Sequence, residues 1–324
     1  MLRLFHRSEP EKAPDWYHTA APDDRHEYDA FGPWVYEITK ESEMPPRFRF
    51  AYAQHINARF LLKIPVHADR REMRPGMDLY AAVLAIDENG ISIYRLVENR
   101  IVSDQCSWGE VAAISNGSNL LQGNLSLLLA SGREIELAFN SVSQRLMEDA
   151  AAFVRSRCAS PARMQRLAAT VPNIDITDHF FRAMLVMTQR RATMPIAAVH
   201  FEPPGQRCLD RDGRRRITTG VLLLLTPSEL IIVGRDRPAR SLWHANYSAL
   251  TTCVPLAHLK SYALREPAAG GRRPRFHEVL LYFDRQEMFV SCLTVPETVL
   301  VRLDDLGIAQ WDEKADNRGL KFSC

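Results

Sequence analysis

Ile135, Leu137 and Phe139 alternate with Glu134, Glu136 and Ala138, the period-two pattern of a strand with one buried face. They follow the mostly apolar residues 125–129 across Ser131-Gly132, so the pattern predicts a hairpin. The pattern recurs at residues 279–283, a turn at Asp284-Arg285, and Met288, Val290 and Cys292. Each hairpin runs into a stretch whose apolar residues fall on one helical face. These are Leu146, Met147, Ala150 and Phe153 in the first, and Val299, Leu300, Leu303 and Leu306 in the second, with Gly307 as a stop. Ser141 with Gln144, and Thr294 with Glu297, have the spacing of a capping box at each helix start.

The hairpins belong to a longer repeat. A gap of 139 residues separates Ile86 from Leu225, Tyr94 from Val233, and Trp108 from Tyr247. The hairpins and helix starts are 153 apart, so the second copy carries 14 extra residues, expected as a loop around the Pro/Gly/Arg-rich residues 265–276. With first strands expected at residues 59–65 and 195–201, each copy holds about seven short strands and then one helix, an α+β order. Residues 159–194 form a linker with its own amphipathic helix, capped by Thr177 or Asp178 and burying Phe180, Phe181, Met184 and Leu185.

The hairpins with Asn89-Gly90 and Pro227-Ser228-Glu229 turns, and the aromatic strand entries at Trp108 and Tyr247, resemble the bacterial pleckstrin-homology-like (PH-like) fold. The resemblance implies two bent antiparallel sheets or partly open barrels, each closed by a C-terminal helix and joined by the helical linker. The organisation expected is an aromatic and charged arm (1–55), PH-like domain 1 (56–158), linker (159–194), PH-like domain 2 (195–308) and a charged tail (309–324). Proteins of this kind mostly bind lipids, peptides or other proteins, and few are catalytic.

Composition narrows the classes. The net charge of +2 over 324 residues does not suit a chain built to coat nucleic acid. The most apolar run, residues 221–225, is followed by Thr226-Pro227 and falls far short of a membrane span. Six scattered cysteines without close pairs suit reduced thiols and a cytoplasmic location. The His-Glu pairs at His26 and His277 lack a second histidine four residues on, and Asp175, Asp178 and His179 read as helix capping. Residues 115–119 form neither a phosphate cradle nor a nucleophile elbow. No enzyme, metal or cofactor is expected.

Two candidate surfaces remain. Arg207, Arg211, Arg214, Arg215 and Arg216 lie between the first and second expected strands of the second copy, Arg235, Arg237 and Arg240 after the third, and Arg272, Arg273 and Arg275 in the extra loop. Guanidinium groups suit phosphate through paired hydrogen bonds. The PH-like resemblance places the first two of these loops at an open barrel end. Trp16, Trp34 and Tyr36 in the arm are candidate partner contacts. The leading expectation is a non-catalytic cytoplasmic scaffold that binds another protein or its own copy. The alternative is peripheral attachment to anionic lipid headgroups at the inner face of the membrane through the Arg loops.

Overall fold

The computed structural model describes residues 15–159, 174–191, 195–209, 214–235, 246–266 and 274–311. It is α+β with mostly antiparallel sheets, and none of these closes into a barrel among the described residues. The chain divides into two compact units. One holds residues up to 88 together with 92–103, and the other holds 89–91 together with those from 104 onward.

The first unit opens with α1 (Asp15–Thr19) and α2 (Pro22–Ala30), which has a proline at its start and Asp23 and Asp24 in its first turn, all favourable at a helix N-terminus. Next come β1 (Tyr36–Glu37), the 3-10 turns Glu41–Glu43 and Pro46–Gln54, β2 (Phe60–Pro65), the 3-10 turn Arg70–Glu72 and β3 (Tyr80–Ile86). With β4 (Gly90–Val97) and β5 (Arg100–Ser107), these strands form a sheet in the order β1-β2-β3-β4-β5. Phe31, Ile38, Met44, Phe48 and Ala51 pack into one core with Leu61, Val83 and Tyr94. The segment read as an arm is therefore structural: from Phe31 onward it supplies core side chains and, through β1, a sheet edge.

The second unit holds β6 (Val111–Asn119), β7 (Gln122–Leu129), β8 (Glu134–Asn140), α3 (Gln144–Cys158) and α4 (His179–Arg191). It continues through β9 (Ala198–Glu202), β10 (Arg207–Leu209), β11 (Arg215–Ile217), β12 (Val221–Leu225), β13 (Glu229–Gly234) and β14 (Ser248–Pro255). Last are β15 (Ser261–Arg265), β16 (His277–Tyr282), β17 (Glu287–Cys292) and α5 (Glu297–Asp305). Seven strands form one sheet in the order β8-β7-β6-β14-β13-β12-β9, while β10-β11 and β15-β16-β17 stand as smaller sheets.

The all-apolar β12 is explained by its two covered faces. Val221, Leu223 and Leu225 face a core shared with Val299, Leu300 and Leu303 of α5. Leu222 and Leu224 face Phe181, with Phe180, Met184 and Leu185 of α4 packed alongside. A strand buried on both sides loses the alternation of a half-exposed one. Asp178 caps α4, accepting from the Phe180 and Phe181 amides at 2.9 and 3.2 Å.

Parts of the repeat keep register and parts do not. β3 ends and β4 begins 139 residues before β12 and β13, and β7, β8 and α3 lie 153 before their counterparts in β16, β17 and α5. The match of Trp108 to Tyr247 fails. Trp108 opens a 3-10 turn between β5 and β6 and packs edge-on to Phe153 of α3. Tyr247 precedes β14, which is hairpin partner to β13, and is 66 % exposed. Extra residues therefore fall between β13 and β14 as well as between β15 and β16. Neither expected capping box forms: Ser141 donates to the Leu120 carbonyl, and Thr294 donates to Glu202 at 2.9 Å.

Candidate functional site: an acid-lined pocket in the first unit

α2 brings Asp24 and Glu27, one helical turn apart, to one wall of a cavity of about 380 Å³, within the size range of small-ligand pockets. Pro45, Pro46, Arg47 and Phe48 form another wall, and Gly76, Met77, Asp78, Leu79 and Tyr80 complete it. Gly76 adopts a left-handed φ of +83° beside the Asp24 carboxylate, which lets the chain turn into β3.

The charges are arranged unevenly. Arg47 is consumed: its Nε donates to Asp78 at 3.0 Å, and its other nitrogens reach Asn99. Among the described residues, no ion pair holds Asp24 or Glu27. Burial, reinforced by Asp24 and Asp78 and opposed by Lys63 and Arg49, pushes the Glu27 carboxyl up to about 7. Lys63 is buried within β2, donates to the Glu43 carbonyl at 2.7 Å and lies 4.7 Å from the centre of the Tyr80 ring. Burial lowers its pKa, against the pull of Glu27 and Glu43. Tyr80 is 2 % exposed, yet its hydroxyl has no hydrogen-bond partner among the described residues. Burial and the nearby Glu27 raise its pKa, so it stays protonated. A buried orphan hydroxyl costs about 1–3 kcal/mol unless something pairs with it.

The arm residues frame this unit. Trp16 packs edge-on to Tyr28 of α2 at 5.7 Å, with Arg74 over its ring, and Arg70 donates to the Phe31 carbonyl at 2.8 Å. Trp34 packs at a tilt against Tyr36 and is 46 % exposed, while the Tyr36 hydroxyl donates to the Ala30 carbonyl. Of the three candidate arm aromatics, Trp34 is thus the one still presented to solvent, and Tyr36 is half committed to holding α2.

The candidate arginines divide. Arg207, Arg214, Arg215 and Arg216 lie exposed on or beside the β10-β11 ribbon, and Arg275 joins it by bridging to Leu209, the partner of Arg215. Arg235 is not with them. It donates to the Asn246 and Ser248 carbonyls at 2.6 and 2.9 Å and lies 3.7 Å over the Phe180 ring, so it serves as a structural clamp. Arg211, Arg237, Arg240, Arg272 and Arg273 lie outside the described residues.

A second polar cluster escaped the sequence reading. His200, Glu202 and Cys292 bring three possible ligand atoms within 4.8 Å. The Glu202 carboxylate accepts from Leu293 N at 2.8 Å, from Thr294 N at 2.7 Å and from the Thr294 hydroxyl, and His200 lies 3.3 Å away. Burial pushes the Cys292 thiol up to about 12, so it is a protonated thiol at neutral pH. The cluster works as a clasp between β9 and the entry to α5. A third buried chain, Asp87 to His55 at 3.3 Å and His55 to Tyr94 at 2.9 Å, pins the Pro46–Gln54 turn to the sheet.

One sequence signal could have led to the pocket. Lys63 interrupts the apolar run Leu61-Leu62-Lys63-Ile64, and a lysine on a buried strand needs compensation nearby. Asp24 and Glu27 read as ordinary helix-surface acids. Compared with models of known protein families and with curated proteins, the chain matches none.

Proposed function

We propose that the chain is a non-catalytic binding protein that acts through protein–protein interaction, with the acid-lined pocket of its first unit as the contact point. One observation carries the reading: a concave site joins two carboxylates outside any ion pair among the described residues to a buried hydroxyl that none of those residues pairs, with Met77 46 % exposed in its wall. Such a site fits one projecting group of a larger partner, or of a second copy of this chain. The PH-like reading of the scaffold is kept on the order of elements along the chain, with the β10-β11 ribbon as an insertion in the second copy. Each copy runs through four strands, then three, then a helix: β2–β5, β6–β8 and α3, then β9 with β12–β14, β15–β17 and α5.

The test is affinity capture from cells carrying the tagged full-length chain, comparing wild type with Asp24→Arg and Trp34→Ala. Deletion of residues 1–40 would be a poor substitute, because it removes Phe31, Val35 and Ile38 from the core. Loss of one specific protein in Asp24→Arg is the expected result. An unchanged set in both variants would refute the reading.

A second reading, attachment to anionic membranes, is favoured by the exposed arginines of the β10-β11 ribbon. Each basic residue near such a surface contributes about 1 kcal/mol, screened over roughly 8 Å in physiological salt. Co-sedimentation with anionic vesicles that disappears in salt, and in the Arg214→Glu, Arg215→Glu, Arg216→Glu variant, would support it. No binding to anionic vesicles even at low salt would exclude it.

A further inference from the structure

We infer that the pocket binds the cationic end of a basic side chain, a guanidinium or ammonium carried on an aliphatic stem. The inference rests on reading the pocket as a docking site and names the chemistry that docks there. Three features of its wall point the same way. Asp24 and Glu27 offer carboxylate oxygens one turn apart on α2, while the cation in the wall itself, Arg47, already neutralises Asp78 at 3.0 Å. The Tyr80 hydroxyl lies buried without a partner among the described residues, and a phenol oxygen accepts from N–H donors. Pro45, Pro46, Met77 and Leu79 supply apolar surface for the methylenes of a lysine or arginine stem. An anionic ligand would meet two carboxylates. A purely apolar one would bury them at a desolvation cost.

Lys63 does not fill this role itself. Its ammonium is spent on the Glu43 carbonyl and on the Tyr36 and Tyr80 rings, at 5.6 and 4.7 Å. Glu27 feels Asp24 from its own helix, Asp78 from the segment before β3, Lys63 from β2 and Arg49 from the Pro46–Gln54 turn. An added cation would favour its ionised form, so binding should release a proton and tighten as pH rises. Glu27 titrates at about 7, which sets the gain between pH 6 and pH 8 at no more than about tenfold.

The test is calorimetric titration of the purified full-length chain with capped Gly-Ser-Xaa-Ser-Gly peptides, where the central residue is arginine, lysine, norleucine or glutamate. The arginine or lysine peptide should bind at least about tenfold more tightly than the other two. Glu27→Gln and Asp24→Asn should each weaken it several-fold, with the pH dependence lost in Glu27→Gln. Tyr80→Phe, which keeps the core volume, should weaken it by a smaller factor. Equal affinity for all four peptides, preference for glutamate, or full affinity in both carboxylate variants would overturn the inference. Agmatine is the companion probe. Tight agmatine binding with silent peptides would keep the cation site and remove the protein-docking reading. Conversely, if no cation binds while Asp24→Arg still abolishes capture of a partner, the docking reading stands and this inference fails.

Discussion

Glu27 is held where burial and two neighbouring carboxylates oppose its ionisation. Its pKa of about 7 in the folded chain lies above the ordinary value of 4.5. Between those values the folded state keeps a proton that the unfolded state has released, so stability falls as pH rises through that window. Glu27→Gln removes the penalty and should be more stable than wild type at pH 8, by about 1–2 kcal/mol once solvent screening is allowed for. At pH 4 the two should coincide, and urea midpoints at both pH values check this. A site kept at the expense of stability is a usual mark of function. Glu202 behaves oppositely. Burial would raise its pKa, but the hydrogen bonds from His200, Leu293 and Thr294 outweigh burial and hold it below the carboxylate norm. Its contribution is present above the unfolded value and is lost as pH falls through the lowered one. Glu202→Gln should cost about 2–4 kcal/mol at pH 7, and the difference should shrink below pH 4.5. Neither residue stood out in the sequence, because what singles each out is its neighbours in space.

At the scale of elements, periodicity was informative where one face of a segment is buried against a regular partner. The β7-β8 and β16-β17 hairpins, α3, α4 and α5 all form at the expected places. Alternation at Ile135, Leu137 and Phe139, and the i, i+3, i+4 spacing of α5, are direct consequences of one-sided burial. The small β10-β11 ribbon and the structural role of residues 31–51 were not legible. The ribbon is too short for any period to show, and the latter segment buries side chains from turns and 3-10 geometry, which have no fixed repeat. The capping signals misled because Ser141 and Thr294 found acceptors far off in sequence. One element contact invites measurement. Arg155 of α3 forms a two-point ion pair with Glu229 of β13, Nε to Oε2 at 2.9 Å and Nη2 to Oε1, with both side chains largely buried. Arg155→Ala leaves a buried carboxylate without its counter-charge and should lower stability by about 3–5 kcal/mol. A double-mutant cycle with Glu229→Gln should recover part of that loss as coupling.

For the whole molecule, duplication in sequence did not produce two separate halves. β6 of the first copy pairs with β14 of the second over six residues, from Ser248 opposite Asn119 to Cys253 opposite Ile114, with the Ser115 and Thr252 hydroxyls 2.8 Å apart. The seven-stranded sheet therefore runs through both copies, and the second compact unit takes strands from each. Edge-to-edge pairing of this kind satisfies backbone groups that an exposed edge would leave open. No local pattern announces which edge will pair with which. Hydrogen exchange should show it. Amides in β6 and β14 are expected to share one opening free energy, and a large difference between them would mean the copies open independently.

The most direct test of a partner-binding pocket in the first unit is site-specific photo-crosslinking in cells, with a photoreactive residue at Met77 in the pocket wall or at Val97. The two positions are 46 % and 45 % exposed. The expected result is a discrete protein adduct at position 77 that is absent at 97 and lost when Asp24→Arg is added. Equal labelling at both positions, or an adduct at 77 indifferent to Asp24→Arg, would contradict the account.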